Sequence, residues 1–287
     1  MTGAVAFVLG SEARREVLAR LADCDDSGRG IVDACDASES AVYDALGRLA
    51  DRGYVEETTE GAWRLTGAGR LVADTVERCE RLDCIIGGDT EYWAAHDPTG
   101  LPAEFRRTID RLECCEVVRS PDTDPYRAAR SVERAIDSAN TVAIVAPIYS
   151  DRHAEALLET DAERRRLIMT PGMVARLLED EPAGPDTELG DLSIRVQPAA
   201  ISMTVTDGSL LFSLPTPDGS FDATSEVVAE GDAAIEWGRR LFEHYWERGT
   251  PVGQWIANEH PEALASDNVH TPDPTDDAAG ERRAEQE

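Results

Sequence analysis

The sequence predicts an α/β chain, α+β overall, and three observations support this class. Apolar residues recur with helical periodicity over residues 1–86, interrupted once by a strand–turn–strand pattern around Thr59-Glu60-Gly61. Over residues 125–250, helical segments alternate with continuous apolar strands before a hairpin appears. The 287 residues are 41% hydrophobic and 30% charged, which is typical of a globular chain of one to three domains. We therefore expect an N-terminal helical domain with a β-ribbon and a C-terminal mixed α/β domain.

Three helices are predicted before the ribbon. The first spans 11–22 with Ser11 as its N-cap, a loop covers 23–30, and a short second helix covers 30–35. The third begins after Ser38 and ends before Gly53, and its apolar residues fall at i, i+3, i+4 and i+7. Tyr54 then opens a hairpin that returns at Trp63.

This order of elements is that of a winged helix-turn-helix, in which the third helix enters a DNA major groove and the hairpin is the wing. We expect groove contacts from four residues of that helix and its cap: Ser38, Ser40, Tyr43 and Arg48. Thr59 and Arg64 are the expected wing contacts. Arginine can bind guanine through two hydrogen bonds, but the exposed residues of this helix are equally consistent with an ordinary solvated face.

A long fourth helix is predicted from Gly67 onward, with an apolar stripe that includes Leu71, Val72 and Leu82. The stripe is consistent with packing on its own domain and equally with pairing of two subunits. Four regions follow from these patterns: the winged helix with its fourth helix (1–86), a junction broken by glycine and proline (87–124), a mixed α/β domain (125–250) and an acidic tail without apolar periodicity, which we expect to be disordered (251–287).

The C-terminal domain is predicted to begin with helix 127–139, followed by the apolar strand TVAIVAPIY, helix 151–159, the strand RLIMTPG and helix 173–179. An acidic, proline-containing loop covers 181–190. The strand LSIRVQP, a hairpin turning at Asp207-Gly208 and helix 233–248 complete the domain. Ligands favour the carboxyl ends of parallel strands, so Tyr149, Thr170 and Gly172 are candidate ligand-binding residues, although the prolines there could simply end the strands.

The net charge of −29 arises from 57 acidic residues against 28 basic ones, and every basic residue is an arginine. Such a charge keeps a protein hydrated in concentrated salt and points to a halophilic cytoplasm. Nine arginines against sixteen acidic residues leave residues 1–80 with a net charge of −7, which argues against DNA binding at low salt. At molar salt the Debye length is only about 3 Å, and the repulsion becomes weak.

No catalytic residues are predicted, because the sequence lacks a GxSxG elbow, an HExxH helix and a glycine-rich dinucleotide motif. The absence of lysine excludes a P-loop or Schiff-base lysine. The six cysteines form no CxxC pair, so reduced thiols are expected and a zinc site is disfavoured; no cofactor or metal is expected. The first residues lack a signal-peptide pattern, and no apolar run would span a membrane.

The chain up to about residue 249 resembles archaeal winged-helix transcriptional regulators with a C-terminal sensor domain, similar to the methanogenesis and filament-formation regulators. The matching stretches are LGSEARREVLARL, SESAVYDALGRLADRGYV, WRLTGAGRLVAD, DPYRAARSVERAIDSA, MTVTDGSLLFSLP and WGRRLFEHY. The resemblance implies a dimeric transcription regulator that binds promoter DNA and whose C-terminal domain is a sensor or interaction domain of unknown ligand. It also implies a distant likeness to half of a phospholipase D without its catalytic residues, in agreement with the absence of lysine. Because the sequence shows neither a signal-peptide pattern nor a membrane span, we expect the protein in the cytoplasm.

Two other functions stay open at this point. The winged helix could bind a protein rather than DNA, which would make the chain an adaptor. The C-terminal domain could instead be a phosphodiesterase-like enzyme, an idea weakened by the missing lysine.

Overall fold

A computed structural model describes residues 3–113, 115–180 and 192–261. The chain forms two compact units. One comprises Met1–Ala94 with Arg106–Glu116, and the other comprises Ala95–Phe105 with Val117–Glu287. The chain therefore passes between the units more than once in the region predicted as a junction, and the predicted domain boundaries stay a prediction.

The first unit is mainly helical. Its helices are α1 (Ala4–Leu9), α2 (Glu12–Asp23), α3 (Gly28–Ala34), α4 (Glu39–Asp51), α5 (Gly67–Gly88) and α6 (Thr90–Ala95). Three short strands form an antiparallel sheet in the order β1-β3-β2, with β1 at Asp26–Ser27, β2 at Val55–Glu57 and β3 at Ala62–Leu65. Helices α2 to α4 and the β2–β3 hairpin confirm the predicted winged helix-turn-helix.

The predicted loop over 23–30 is wrong in its second half. Asp26 pairs with Trp63 and Ser27 with Ala62, so this segment adds a third strand to the wing sheet. Helix α3 begins at Gly28, earlier than expected, because the Ser27 hydroxyl accepts a hydrogen bond from the Gly30 amide at 3.0 Å.

Apolar side chains from α2, α4 and α5 fill the core of the first unit. The fully buried members of α4 are Val42, Ala45, Leu46 and Leu49, which occupy the helix face that the sequence predicts. On α5 the buried residues Val72, Ala73 and Val76 join this core, whereas Leu71 is 71% exposed. The inner face of α5 therefore packs on its own unit, as one of the two open interpretations requires.

The second unit is a mixed sheet with helical cover. Its helices are α7 (Ala103–Arg106), α8 (Arg127–Asp137), α9 (Asp151–Glu159), α10 (Pro171–Asp180), α11 (Asp232–Arg248) and α12 (Val252–Glu259). Its strands are β4 (Cys115–Arg119), β5 (Thr141–Ala146), β6 (Arg164–Met169), β7 (Leu192–Val196), β8 (Ser202–Thr206), β9 (Leu210–Ser213), β10 (Ser225–Ala229) and β11 (Thr250–Pro251).

Within the described residues these strands form one eight-stranded sheet in the order β11-β7-β6-β5-β8-β9-β10-β4. Strands β5, β6 and β7 are parallel, and β8, β9 and β10 follow as antiparallel neighbours. Leu211 belongs to a core cluster with Val132 of α8 and Leu157 of α9, whereas the adjacent Phe212 contacts Trp237 of α11. Because neighbouring strand residues point to opposite faces, helices cover both faces of the sheet.

The prediction of an unstructured tail from residue 251 is wrong as far as residue 259. Helix α12 covers this stretch, and its Val252, Trp255 and Ile256 pack against a cluster that contains Met169 and Val196. These three residues supply the apolar period i, i+3, i+4 that stabilises a helix by burial. The remainder of the tail from residue 262 and the predicted acidic loop 181–190 lie outside the described residues.

Candidate nucleic-acid interface

Helix α4 presents an exposed face opposite the one that enters the core. Ser38 caps the helix by accepting a hydrogen bond from the Ala41 amide, and its hydroxyl lies 3.3 Å from that of Ser40. Gly53 follows the helix at φ +72°, the left-handed conformation that ends helices. The N-cap Ser38 and the terminating residue Gly53 are thus the residues that the sequence predicts. They set the two ends of α4 and therefore which of its side chains face away from the core.

Tyr43 is the large aromatic side chain on this exposed face, with 48% of its surface accessible. One edge of its ring lies against Gly28 at the start of α3, so close that a Cβ on Gly28 would lie 3.1 Å from Tyr43 Cε1. This contact orients the ring and leaves the rest of it available to a partner.

Arg48, five residues further along α4, is half exposed and paired with an acidic residue of the same helix. Its Nε lies 2.8 Å from Asp44 Oδ2. The i,i+4 spacing of the two residues is the sequence signal for this ion pair. Exposed pairs of this type contribute only about 0 to 1 kcal/mol, so Arg48 can exchange Asp44 for another acceptor at little cost.

The wing has the same electrostatic arrangement. Arg64 of β3 stands directly opposite Glu56 of β2 in the antiparallel register, and its Nε donates to Glu56 Oε1 at 2.8 Å. Thr59 is exposed at the hairpin tip, where Gly61 adopts φ +79°. The Glu56 partner depends on strand register, which the sequence pattern alone does not provide.

A charged pair ties the base of the wing to the helices. Arg20 of α2 donates to Asp26 Oδ2 through Nε at 3.0 Å and through Nη2 at 2.7 Å, and Asp26 lies in the wing strand β1. This hydrogen bonding lowers the pKa of Asp26 below its ordinary value. The wing and the helices that precede α4 are therefore joined by two charged hydrogen bonds to one carboxylate oxygen as well as by the core.

The six predicted DNA-contacting residues thus lie on α4, on its cap and on the wing. Both arginines among them carry a carboxylate partner, Asp44 for Arg48 and Glu56 for Arg64. Such a surface offers hydrogen-bonding groups in a fixed arrangement rather than a basic patch. It suits recognition that depends on short-range contacts more than on long-range attraction.

The predicted ligand residues lie at the carboxyl ends of β5 and β6 in the second unit. The Thr170 hydroxyl donates to the Pro147 carbonyl oxygen at 3.1 Å and accepts from the Met173 amide, so its capacity for hydrogen bonds is largely used. Tyr149 is about half exposed, and no atom approaches the position of a Cβ on Gly172 within 4 Å. Ligand binding at this edge stays a prediction.

In the part of the chain that the structure describes, no group of three histidine, cysteine or acidic residues is arranged to hold a metal ion. No helix there is both long enough and apolar enough to cross a bilayer.

The fold defines the class of protein: a winged helix-turn-helix unit joined to an α/β unit. Residues 125–248 match the family model described as "Methanogenesis regulatory protein FilR1, middle domain". Residues 2–84 match the model described as "HVO_A0261 N-terminal domain". Each unit therefore contains a segment that matches a family model, and the model matched in the second unit is described as the middle domain of a methanogenesis regulatory protein.

The chain is similar to the methanogenesis regulatory protein FilR1 of Methanothrix harundinacea (strain 6Ac), with 21% identity over 226 residues. The match covers 75% of this chain and 50% of that protein, so the chain spans half the length of the curated relative it matches. The resemblance to methanogenesis and filament-formation regulators stated from the sequence is confirmed.

Among solved structures, the archaeal chromatin protein TrmBL2, described as showing a novel mode of DNA binding, matches with 14% identity and a TM-score of 0.37. The match covers 82% of this chain and 92% of TrmBL2. Wild-type ZitR of Lactococcus lactis matches with 17% identity and a TM-score of 0.26, over 36% of this chain and 68% of ZitR.

Proposed function

We propose that this chain is a transcription regulator that binds promoter DNA through its winged helix. The observation that carries the proposal is the exposed face of α4, with Ser40, Tyr43 and Arg48, in the same unit as a wing with an exposed tip. The similarity of the chain to a methanogenesis regulatory protein supports it. We place its action in the cytoplasm, where promoter DNA is found in archaea and bacteria.

The proposed contacts divide into two kinds. Tyr43 and Arg48 face base edges in the major groove, with Ser40 beside them and Ser38 near the backbone. Thr59 and Arg64 of the wing contact the flanking phosphates. When the duplex binds, each arginine exchanges its carboxylate partner for a guanine edge or a phosphate oxygen. Asp44, once released, can accept a hydrogen bond from cytosine N4.

We further propose that the protein works in concentrated salt, because the chain contains 57 acidic residues and its proposed interface has no basic patch. Few counterions are released from DNA by such a surface, so the affinity should fall only slowly as salt rises. A basic winged helix would instead lose affinity steeply.

The outer face of α5 supports a homodimer. Leu71, Leu82 and Ile86 are exposed along one side of this helix, although its opposite side is buried in the core. A second copy of the chain would cover these residues with its own α5. Packing on its own unit and pairing of two subunits are then compatible for α5. Val72 and Val76 belong to the core, whereas Leu71 and Leu82 would face the second copy.

A second candidate function is that of a protein-binding adaptor. The observation that favours it is the pairing of Arg48 with Asp44 and of Arg64 with Glu56, together with the surplus of acidic residues over arginine in residues 1–80. An adaptor would show no preference among DNA sequences in any salt.

The deciding experiment is selection of duplexes from a random DNA library by the full chain in molar KCl. Fluorescence anisotropy then compares an enriched duplex with a scrambled one. We expect a preference for the enriched duplex, and we expect Tyr43→Ala with Arg48→Ala to reduce its affinity at least about tenfold, since each base contact contributes ~1–3 kcal/mol.

The matched control is Arg130→Ala, which removes an exposed arginine paired with Asp124 in the second unit. This variant should bind the enriched duplex like the unmodified chain. Absence of any enriched sequence would favour the adaptor, and full retention of specific binding by the Tyr43/Arg48 double variant would refute the assigned face.

A further inference from the structure

A pocket of about 320 Å³ in the second unit lies away from the predicted ligand site. It is lined by Thr141 and Arg164, which begin the parallel strands β5 and β6, and by Arg239 and Phe242 of α11. The predicted site is at the carboxyl ends of the same strands, so the pocket opens at the other end of the sheet. Its volume is near the lower limit of small-molecule sites.

The charge balance of this pocket is the reverse of that of the whole chain. Three arginines line it, at positions 164, 166 and 239, and Glu243 is the acidic residue among the lining residues. In the sequence as a whole, acidic residues outnumber arginines two to one, 57 to 28. A concentration of arginine at one recess is therefore not explained by composition.

Arg166 is a lining residue whose side chain is held in place by its neighbours. Its Nη1 lies 2.6 Å from Glu243 Oε1, and its guanidinium stacks over the rings of Phe242 at 4.6 Å and Trp246 at 5.3 Å. Its Nε is buried without a hydrogen-bond partner among the described residues. Because Arg166 neutralises Glu243, the charge that remains in the pocket is that of the other two arginines.

Within the described residues the side chains of Arg164 and Arg239 make no ion pair or hydrogen bond, whereas the third pocket arginine, Arg166, is paired with Glu243. Both lie at the exposed rim of the pocket, where a guanidinium can bind a carboxylate or phosphate through two hydrogen bonds. Val142, Ala143 and Val205 add an apolar wall.

We propose that this pocket binds a small organic anion, with its carboxylate or phosphate group held by Arg164 and Arg239 and a short apolar part against Phe242 and the strand residues. This inference rests on the proposed function only in naming the ligand as the effector of the regulator. Binding itself requires no DNA.

Isothermal titration calorimetry on the full chain tests the site at constant KCl, and chloride itself is titrated in chloride-free buffer of the same ionic strength. The probes are benzoate and phenyl phosphate, which share an apolar ring and differ in the anionic group. Benzyl alcohol is the neutral analogue, and inorganic phosphate and chloride are anions without the ring. We expect at least one of the two aromatic anions to bind more tightly than all three controls, and their comparison tells carboxylate from phosphate.

Arg164→Gln and Arg239→Gln should each weaken that binding about tenfold, the equivalent of ~1.4 kcal/mol. Arg240→Gln is the matched control, because Arg240 is the next residue of α11, is exposed and does not line the pocket. It should leave the affinity within about twofold of the unmodified value, a change of less than ~0.5 kcal/mol.

Three results would overturn the proposal: no binding by either aromatic anion, equal binding by benzyl alcohol, or unchanged binding in the Arg164/Arg239 double variant. Equal binding by inorganic phosphate or chloride would identify an adventitious ion only. None of these results would change the conclusion of the DNA-binding experiment. A failure of DNA binding would likewise not change the conclusion of the calorimetry.

Discussion

Glu226 should make the second unit less stable as the pH rises above about 4.5. This residue lies in β10 and is only 6% exposed. Burial, which is the larger cause, and the nearby Asp222 carboxylate together raise the pKa of its carboxyl from 4.5 to about 8. The pKa of Asp222 itself is lowered, because hydrogen bonds from Ser225 and Thr224 outweigh the opposing effect of burial.

The sign follows from proton binding. Between about pH 4.5 and 8 the folded chain keeps the Glu226 proton that the unfolded chain releases, so the free energy of unfolding falls as pH rises. The slope is ~1.4 kcal/mol per pH unit, and the accumulated loss reaches at most ~5 kcal/mol above pH 8. Glutamine has nearly the same shape and does not titrate, so Glu226→Gln should remove this slope.

Urea unfolding at several pH values measures the free energy of unfolding. Amide hydrogen exchange in β9 and β10 then tests that the change lies in the second unit of the chain. At pH 4 the variant should match the unmodified chain, and at pH 8.5 it should be more stable by ~2–5 kcal/mol. Glu230→Gln is the control, because Glu230 follows the same strand and is exposed. If Glu226→Gln keeps the slope, or is less stable than the unmodified chain at pH 8.5, the reasoning is refuted.

Two further predictions concern α5. Gly69→Ala should destabilise the first unit by ~3 kcal/mol or more, since the added Cβ would lie 1.8 Å from the Tyr54 carbonyl oxygen. The control is Gly67→Ala, because no atom lies within 4 Å of the position of its added Cβ, and thermal unfolding of the two variants measures the difference. Leu71→Asp should convert the proposed homodimer to a monomer in light scattering, whereas Leu158→Asp, at an exposed leucine of α9, should not; an unmodified chain that is already monomeric would exclude the dimer.

The elements around α4 were predictable from sequence because local rules and burial agree there. Ser38 is a cap, Gly53 is a terminator, and the apolar period between them matches the buried face. The same agreement predicts β5, β6 and the Asp207-Gly208 hairpin. Where capping, periodicity and turn chemistry all predict the same element, tertiary contacts do not change that element.

The missed elements are those whose existence depends on a distant partner. Strand β1 is two residues long and is defined by its pairing with Trp63 of β3. Helix α1 has the apolar sequence AVAFVL, in which no helical period is visible. The pocket arginines at 164 and 239 lie 75 positions apart by their numbers, and only the packing of α11 near β5 and β6 brings them to one recess. The run Arg164-Arg165-Arg166 before an apolar strand, in a chain this acidic, was the available signal.

Among the described residues, arginines of three kinds show how an acidic protein can present guanidinium groups to the proposed anionic partners. Arg20 and Arg166 are fixed by structural partners, Asp26 and Glu243. Arg48 has an exposed partner that contributes little and can be exchanged. Arg164 has no partner within the described residues. At molar salt, repulsion beyond about 3 Å is screened, so the net charge of the chain matters less than the few guanidinium groups that can reach contact distance. Specificity for DNA and for a small anion then depends on a handful of residues, and a single substitution among them should remove a larger fraction of the binding free energy than it would in a protein with a broad basic surface.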